Sequence, residues 1–213
     1  MLTAELEELL NRVSSGEPAR WPMQVAQGYH DLMIPVDKTR WVKWFHHWVK
    51  TPQRDWEWGY VHVRPAVAIV ALNKDTHLAL VSQFRYPLGK ELEEIPKGFV
   101  EDGEEPLAAA IRELKEEVGM SAGEWQSLGE IIAAPGVGKI IHHIFLALEL
   151  AELTPDQYTP PQGDTLRDPL EKLRVEWLDL DRFFQRVVQG SVIDAVTIAA
   201  VAKVRLYFRS SEK

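Results

Sequence analysis

The 213-residue sequence contains no cysteine, which excludes a disulfide framework, a thiolate nucleophile and any zinc site built on sulfur. Glycine and proline, 13 each, are too scarce for a fibrous or low-complexity chain, and no apolar run approaches the roughly 18 residues that cross a bilayer. The 24 basic residues are outnumbered by 32 acidic ones, a formal net charge of -8, and no Lys/Arg cluster is long enough to neutralise a run of phosphates. Neither nucleic acid nor a membrane is an expected partner. Met1 to Leu10 carries three Glu and no basic leader region, so a soluble, cytoplasmic protein is expected, and a reducing compartment fits a cysteine-free chain. What is present is ordinary globular material, 46% hydrophobic and 26% charged, in a length that suits one full domain with a smaller extra segment.

Leu2 to Val13 has a near-helical apolar period and breaks at Ser14, Ser15, Gly16 and Pro18, which predicts a short leading helix. Six of the eight Trp lie between Trp21 and Trp58, where Trp41, Trp44, Phe45 and Trp48 recur at three- and four-residue steps that also admit a twisted strand pair. Such a cluster serves a core or a subunit interface, or stacks on a nucleobase. From Pro65 onward the pattern is β. Ala66 to Leu72 and Leu78 to Phe84 are apolar runs around turn residues Asn73 to Thr76, which predicts a hairpin. Trp125 to Ala133 and Ile140 to Leu150 are further strands flanking the Gly/Pro loop Ala134 to Lys139. Thr154 to Pro169 holds four Pro and no period, the pattern of a long exposed loop. A strand at Leu173 to Leu178, a helix at Asp179 to Gln189 ended by Gly190, and an amphipathic closing helix from Val192 to Val204 complete an α/β arrangement.

The chemistry concentrates in Gly98 to Met120, GFVEDGEEPLAAAIRELKEEVGM. Pro106 suits a first helical turn, Glu104 and Glu105 sit at its positive end, and Gly119 can close it in the left-handed conformation, so Pro106 to Val118 is a helix. Leu107, Ile111, Leu114 and Val118 share one face, and Glu113, Glu116 and Glu117 fall within roughly 100° of arc on the other. Like charges so placed repel by a few tenths of a kcal/mol, roughly, per pair, so a cation should compensate them. Hard oxygen donors suit Mg²⁺ or Mn²⁺, and Arg112 beside the cluster can orient a carboxylate. The plain alternative is an acidic helix face that is simply solvated.

The wider pattern resembles the Nudix box: Gly98, Glu104, Arg112, Glu113, Leu114, Glu116, Glu117, Gly119 and Met120 match each of its defined positions. At about 6% per residue type, the seven fixed positions coincide by chance on the order of 10⁻⁹ per start point. The resemblance implies a Nudix fold, a mixed β-sheet sandwiched between helices, here with an N-terminal extension, and a metal-dependent hydrolase of nucleoside diphosphates linked to another moiety. It implies that Glu113, Glu116 and Glu117 bind Mg²⁺ (or Mn²⁺) together with the backbone carbonyl of Lys97, that Glu117 is central to catalysis, and that Glu104 braces Arg112. A pyrophosphate repels an incoming nucleophile, and divalent ions answer that difficulty.

Val81 to Glu104, Ile144 to Leu150 and Gly190 to Val201 are similar to the ADP-ribose pyrophosphatase branch, a likeness from about Val63 to Val204. Residues 61–213 would then form the hydrolase domain and residues 1–60 a dimerisation element, the protein being a homodimer acting on a small nucleoside diphosphate. The branch implies that Arg85 lies near substrate phosphates, although an ion pair with Glu93 or Glu94 is an equal reading, and that Asp164, Asp168 or Glu171 is the general base, Glu171 being the choice. Two departures stand out. Ala134 to Ile140 offers Lys139, a candidate phosphate contact, where the branch carries acids, and Lys97 replaces the usual Ala, as in Nudix enzymes of dinucleoside or diphosphoinositol polyphosphates. Hydrolysis of such polyphosphates, favoured by a charged Lys97, and a non-catalytic nucleotide-sensing module are the two alternatives. The adjacent pairs His46/His47 and His142/His143 would point to opposite sides of a strand and do not form a two-His metal site.

Overall fold

A computed structural model describes residues 30–31, 42–50, 55–154 and 174–211. The leading helix expected at 2–13, all but Thr154 of the loop expected over 154–169, and the base candidates Asp164, Asp168 and Glu171 lie outside the described residues. In chain order the strands are β1 (His30–Asp31), β2 (Val42–Lys50), β3 (Asp55–Val63), β4 (Ala66–Ala71), β5 (Leu78–Arg85), β6 (Lys90–Glu94) and β7 (Lys97–Phe99). Then come helix α1 (Pro106–Val118), β8 (Met120–Ile132), β9 (Gly138–Lys139), β10 (Ile141–Glu152), β11 (Arg174–Leu178), α2 (Leu180–Gln189) and α3 (Ala195–Ser211). Among the described residues no helix is long and apolar enough to cross a membrane.

The central sheet runs β7-β4-β10-β8, with β4 and β10 parallel and the other pairs antiparallel. All six β4 residues are buried, and strand alternation divides them between two layers. Val67, Ile69 and Ala71 pack with Ala109, Ala110 and Leu114 of α1. Ala68 and Val70 pack with Phe183 of α2 and Val196, Ala200, Val201 and Val204 of α3. The sheet is thus sandwiched between helices, as the resemblance implies. Each fully buried side chain of the size of Ile69 or Leu114 contributes roughly 1.5–3 kcal/mol.

The expected hairpin between the two apolar runs does not form. Leu72 and Leu78 make one isolated bridge, after which the strands part into different sheets. β4 is buried at every position and β5 at five of eight, and each is paired along both edges: β4 takes β7 and β10, while β5 takes β6 and β11. The turn between them is held locally, with Asn73 Oδ1 accepting from the N–H groups of Asp75 and His77 at 3.0 and 2.9 Å. Its geometry therefore places no demand on pairing.

The Trp-rich segment contains a long ribbon, β2 against β3 in register from Val42↔Val63 to Lys50↔Asp55. Two residues of the expected Gly/Pro loop, Gly138 and Lys139, add to its edge as β9, paired with Val61 and His62. Trp56 and Trp58 on β3 are 45% and 53% exposed.

Candidate active site

Helix α1 has the bounds its local chemistry dictates. Pro106 occupies the first turn, and Gly119 takes φ 72° at the C-terminus, where its N–H donates to the Lys115 carbonyl. Its buried face differs from the one that the leucine spacing predicts. Ala109, Ala110, Glu113 and Leu114 are buried, whereas Leu107 is 41% exposed. The small alanines let the helix sit close on β4 and β7, and that rotation turns Glu113 inward, leaving it 9% exposed. Glu116 and Glu117 follow on the same side of the helix at the boundary with solvent.

Gly98 explains how a carboxylate fits there. A Cβ built on it would overlap the Glu113 carboxylate, both oxygens included, so any larger residue would force that carboxylate from its place. The neighbouring backbone completes the arrangement. Ile69 N–H donates to the Pro96 carbonyl at 2.9 Å, and Val100 N–H to that of Pro65 at 2.9 Å, which makes Val67↔Gly98 a hydrogen-bonded pair and Ala68↔Lys97 a non-hydrogen-bonded one. Strand β7 is the sheet edge, so the N–H and carbonyl of Lys97 turn away from β4. That outward N–H donates to Glu117 Oε2 at 3.0 Å.

Arg112 ties the box together. Its Nε and Nη2 donate to the Glu104 carboxylate at 3.1 and 3.0 Å, Nη2 to the Phe99 carbonyl at 2.9 Å, and Nη1 to Glu113 Oε1 at 2.5 Å. Glu116 Oε2 lies 3.6 Å from the same Nη1. Glu104 in turn accepts the Glu101 N–H at 2.9 Å. The Arg112 hydrogen bond holds the Glu104 carboxyl below its usual range against the opposing effect of burial. For Arg112 burial acts to lower the pKa, and the Glu104 and Glu113 interactions outweigh it, keeping the guanidinium firmly charged. The protein itself thus sets one positive charge, shared with Glu104, against Glu113 and Glu116.

The donor chemistry fits a hard divalent cation: three carboxylates and an outward main-chain carbonyl, all oxygen. Among the described residues, no three acidic or His side chains converge into a cage in this arrangement, with Glu113 drawn onto Arg112 and Glu117 onto the Lys97 N–H.

The remaining candidates are placed as follows. Arg85 pairs with Glu94, Nε to Oε1 at 3.2 Å and Nη2 to Oε2 at 2.5 Å, the ion-pair reading of that residue. The Lys97 ammonium reaches Asp194 at 2.7 Å and Glu94 at 3.3 Å, with only 12% of the side chain exposed, so it does not stand open to a charged substrate. Lys139 is exposed on β9 opposite His62, and burial of His62, with Lys139 and Lys43 nearby, holds that imidazole below its usual pKa. His143 Nδ1 lies 3.3 Å from Glu130, and His142 is depressed chiefly by burial, with Lys97 adding to it. Sequence reasoning missed Asp194 and Thr197, whose signal was the Asp-x-x-Thr spacing of a helix N-cap.

A family model described as NUDIX domain matches residues 62–195. The chain is 32% identical over 140 residues to the ADP-ribose pyrophosphatase of Mycobacterium tuberculosis, covering 65% of this chain and 64% of that one. It is 38% identical over 112 residues to the ADP-ribose pyrophosphatase of Bacillus subtilis, covering 50% and 60%. It is 31% identical over 141 residues to the methanol dehydrogenase activator of Bacillus methanolicus, covering 66% and 72%. The alignments thus span somewhat under two thirds of the length of the two pyrophosphatases. A crystal structure of an ADP compounds hydrolase shares the fold, with a TM-score of 0.66 at 22% identity, covering 87% of this chain and 96% of that one. The matched region takes in the β7 edge, the Gly98 contact and the carboxylates of α1, and the chain belongs to the Nudix family.

Proposed function

We propose that this protein hydrolyses the pyrophosphate bond of ADP-ribose or a related nucleoside diphosphate sugar, with Mg²⁺ as cofactor and Mn²⁺ as a substitute. The products are a nucleoside monophosphate and a sugar phosphate, for ADP-ribose AMP and ribose 5-phosphate. The observation that carries this reading is the β7 edge: Gly98 admits Glu113, and the outward Lys97 backbone meets Glu117. Similarity to the two ADP-ribose pyrophosphatases supports the substrate class.

In this reading Glu113, Glu116, Glu117 and the Lys97 carbonyl hold the metal. Bound divalent ions supply neutralisation of the phosphoryl oxygens and acidify the attacking water. Arg112, fixed by Glu104, orients Glu113. Arg85, aligned by Glu94, and Lys139 contact phosphate oxygens. Glu171 takes the proton of the water whose oxygen attacks phosphorus; the P–O–P bridge breaks and its electron pair leaves with the bridging oxygen. Residues 1–60 form the dimerisation element of a cytoplasmic homodimer and residues 61–213 the catalytic domain, a reading supported by the exposed Trp56 and Trp58 of the ribbon. Nucleic acid is not a substrate.

The test is a substrate panel on purified protein: ADP-ribose, other ADP-sugars and diadenosine polyphosphates, each with Mg²⁺, Mn²⁺ or chelator, products resolved by chromatography. Metal-dependent release of AMP and ribose 5-phosphate is expected. No turnover of any ADP-sugar with either metal would refute the proposal.

A further inference from the structure

We propose that the Lys97 side chain is a positioning residue: anchored to Asp194 and Glu94 on the α3 side of the sheet, it fixes the peptide whose N–H holds Glu117 on the α1 side. The proposal rests on the reading of Glu117 as a metal ligand.

Strand alternation sends residues 97 and 98 to opposite layers. Gly98 is paired with Val67, in the layer of α1, and Lys97 with Ala68, in the layer of α2 and α3. The contacts follow that division. Lys97 Nζ lies 2.7 Å from Asp194 Oδ2 and 3.3 Å from Glu94 Oε2, in a cluster whose three side chains are 12%, 18% and 3% exposed. Both anions are themselves held. Asp194 accepts the Thr197 N–H at 2.8 Å and its hydroxyl at 2.6 Å, at the N-terminus of α3, and Glu94 accepts from Arg85. Thr197 Oγ1 also accepts the Ile95 N–H at 3.1 Å, so residues 95 and 97 are pinned to the same helical turn.

A three-residue edge strand with one neighbour needs such pinning. Among the described strands β7 pairs with β4 alone, and its other edge is where Glu117 docks. An ion pair taken largely out of water is a poor source of net stability, because desolvation offsets most of the attraction, but it does specify position. Here the position it specifies is that of the Lys97 peptide. The competing role for Lys97, direct contact with substrate phosphate, makes the opposite prediction at Asp194: removing the anion would release the ammonium and strengthen binding.

The experiment compares Lys97→Met, Lys97→Arg, Asp194→Asn and the Lys97→Met/Asp194→Asn double variant in the full chain. Asn caps a helix as well as Asp does, so Asp194→Asn removes the charge and keeps the start of α3. Mn²⁺ affinity is read by calorimetry without nucleotide, and kcat and KM on the best substrate of the panel. Expected are losses on the order of ten-fold in Mn²⁺ affinity and kcat for Lys97→Met and for Asp194→Asn, with KM within about two-fold, no further loss in the double variant, and recovery in Lys97→Arg. Should Lys97→Met fail to fold, Asp194→Asn and the double variant, in which neither partner leaves a lone charge, carry the comparison. Single variants that match wild type, effects that add in the double variant, or a Lys97→Met change confined to KM with Asp194→Asn binding substrate more tightly would each overturn the proposal alone. Wild type that binds no Mn²⁺ would overturn the metal reading and this proposal with it.

Discussion

Substituting Gly98 by Ala tests the closest approach in the site. The added methyl would occupy the volume of the Glu113 carboxylate, which is 9% exposed and bonded to Arg112 at 2.5 Å. Glu113 must swing out, surrendering the Arg112 contact, or β7 must move. Overpacking of this kind costs about 1–3 kcal/mol. In a protein of this length each kcal/mol lowers Tm by about 2–4 °C, so a fall of roughly 2–12 °C is expected by differential scanning fluorimetry. Displacing a metal-site carboxylate by about an ångström should cost on the order of 10²-fold in kcat/KM. Gly136→Ala is the control, since nothing lies within 4 Å of its added carbon. In a Glu113→Ala background the obstructing atoms are gone and Gly98→Ala should lower Tm no further. Gly98→Ala with Tm within about 1 °C of wild type and unchanged turnover would refute the reasoning.

Glu117→Gln keeps an acceptor for the Lys97 N–H while losing the charge, so kcat should fall by several orders of magnitude with Tm nearly unchanged; near-normal turnover at saturating Mg²⁺ contradicts the metal assignment. Arg112→Lys cannot reproduce the fork that bonds Glu104, Glu113 and the Phe99 carbonyl together, and a loss of about 2 kcal/mol in urea unfolding is expected, against no change if the contacts are incidental. Away from the site, Arg186 hydrogen-bonds Glu176 and holds its carboxyl below the usual range. A depressed folded-state pKa gives stability that is present above the unfolded value, about 4.3, and fades as pH falls through the folded one. The Tm difference between wild type and Glu176→Gln should therefore be constant near neutrality and shrink below about pH 4; a difference that grows on acidification reverses the sign and the assignment.

How far the sequence disclosed all this depended on the range of the interaction. Helix α1 was legible to the residue because Pro106 and Gly119 act on their own backbone; for α2 the sequence offers Asp179 or Asp181 as the cap, and Asp179 fills it by accepting the Arg182 N–H three residues on. The Glu104–Arg112 brace was legible through the box pattern. Pairing was not: Asn73 to Thr76 looks like a hairpin turn whether the flanking strands stay together or part, since their partners, β10 and β11, lie far along the chain. The buried face of α1 was misread because leucines mark a core face only when the helix stands off from the sheet, and Ala109 and Ala110 let it settle closer. Lys97 and Asp194, 97 positions apart, share no periodicity that would connect them. The ribbon of β2 and β3 was one of two shapes that the Trp spacing admitted.

The outward face of β7 has a consequence for how such a site can vary. What it presents to Glu117 is main chain, which side-chain replacement leaves intact, while the group projecting from position 97 belongs to the other layer. The two halves of one residue thus answer to different neighbours, and replacing the side chain keeps the N–H while freeing the peptide that carries it. Among the standard amino acids only proline, having no N–H to give, would silence both at once.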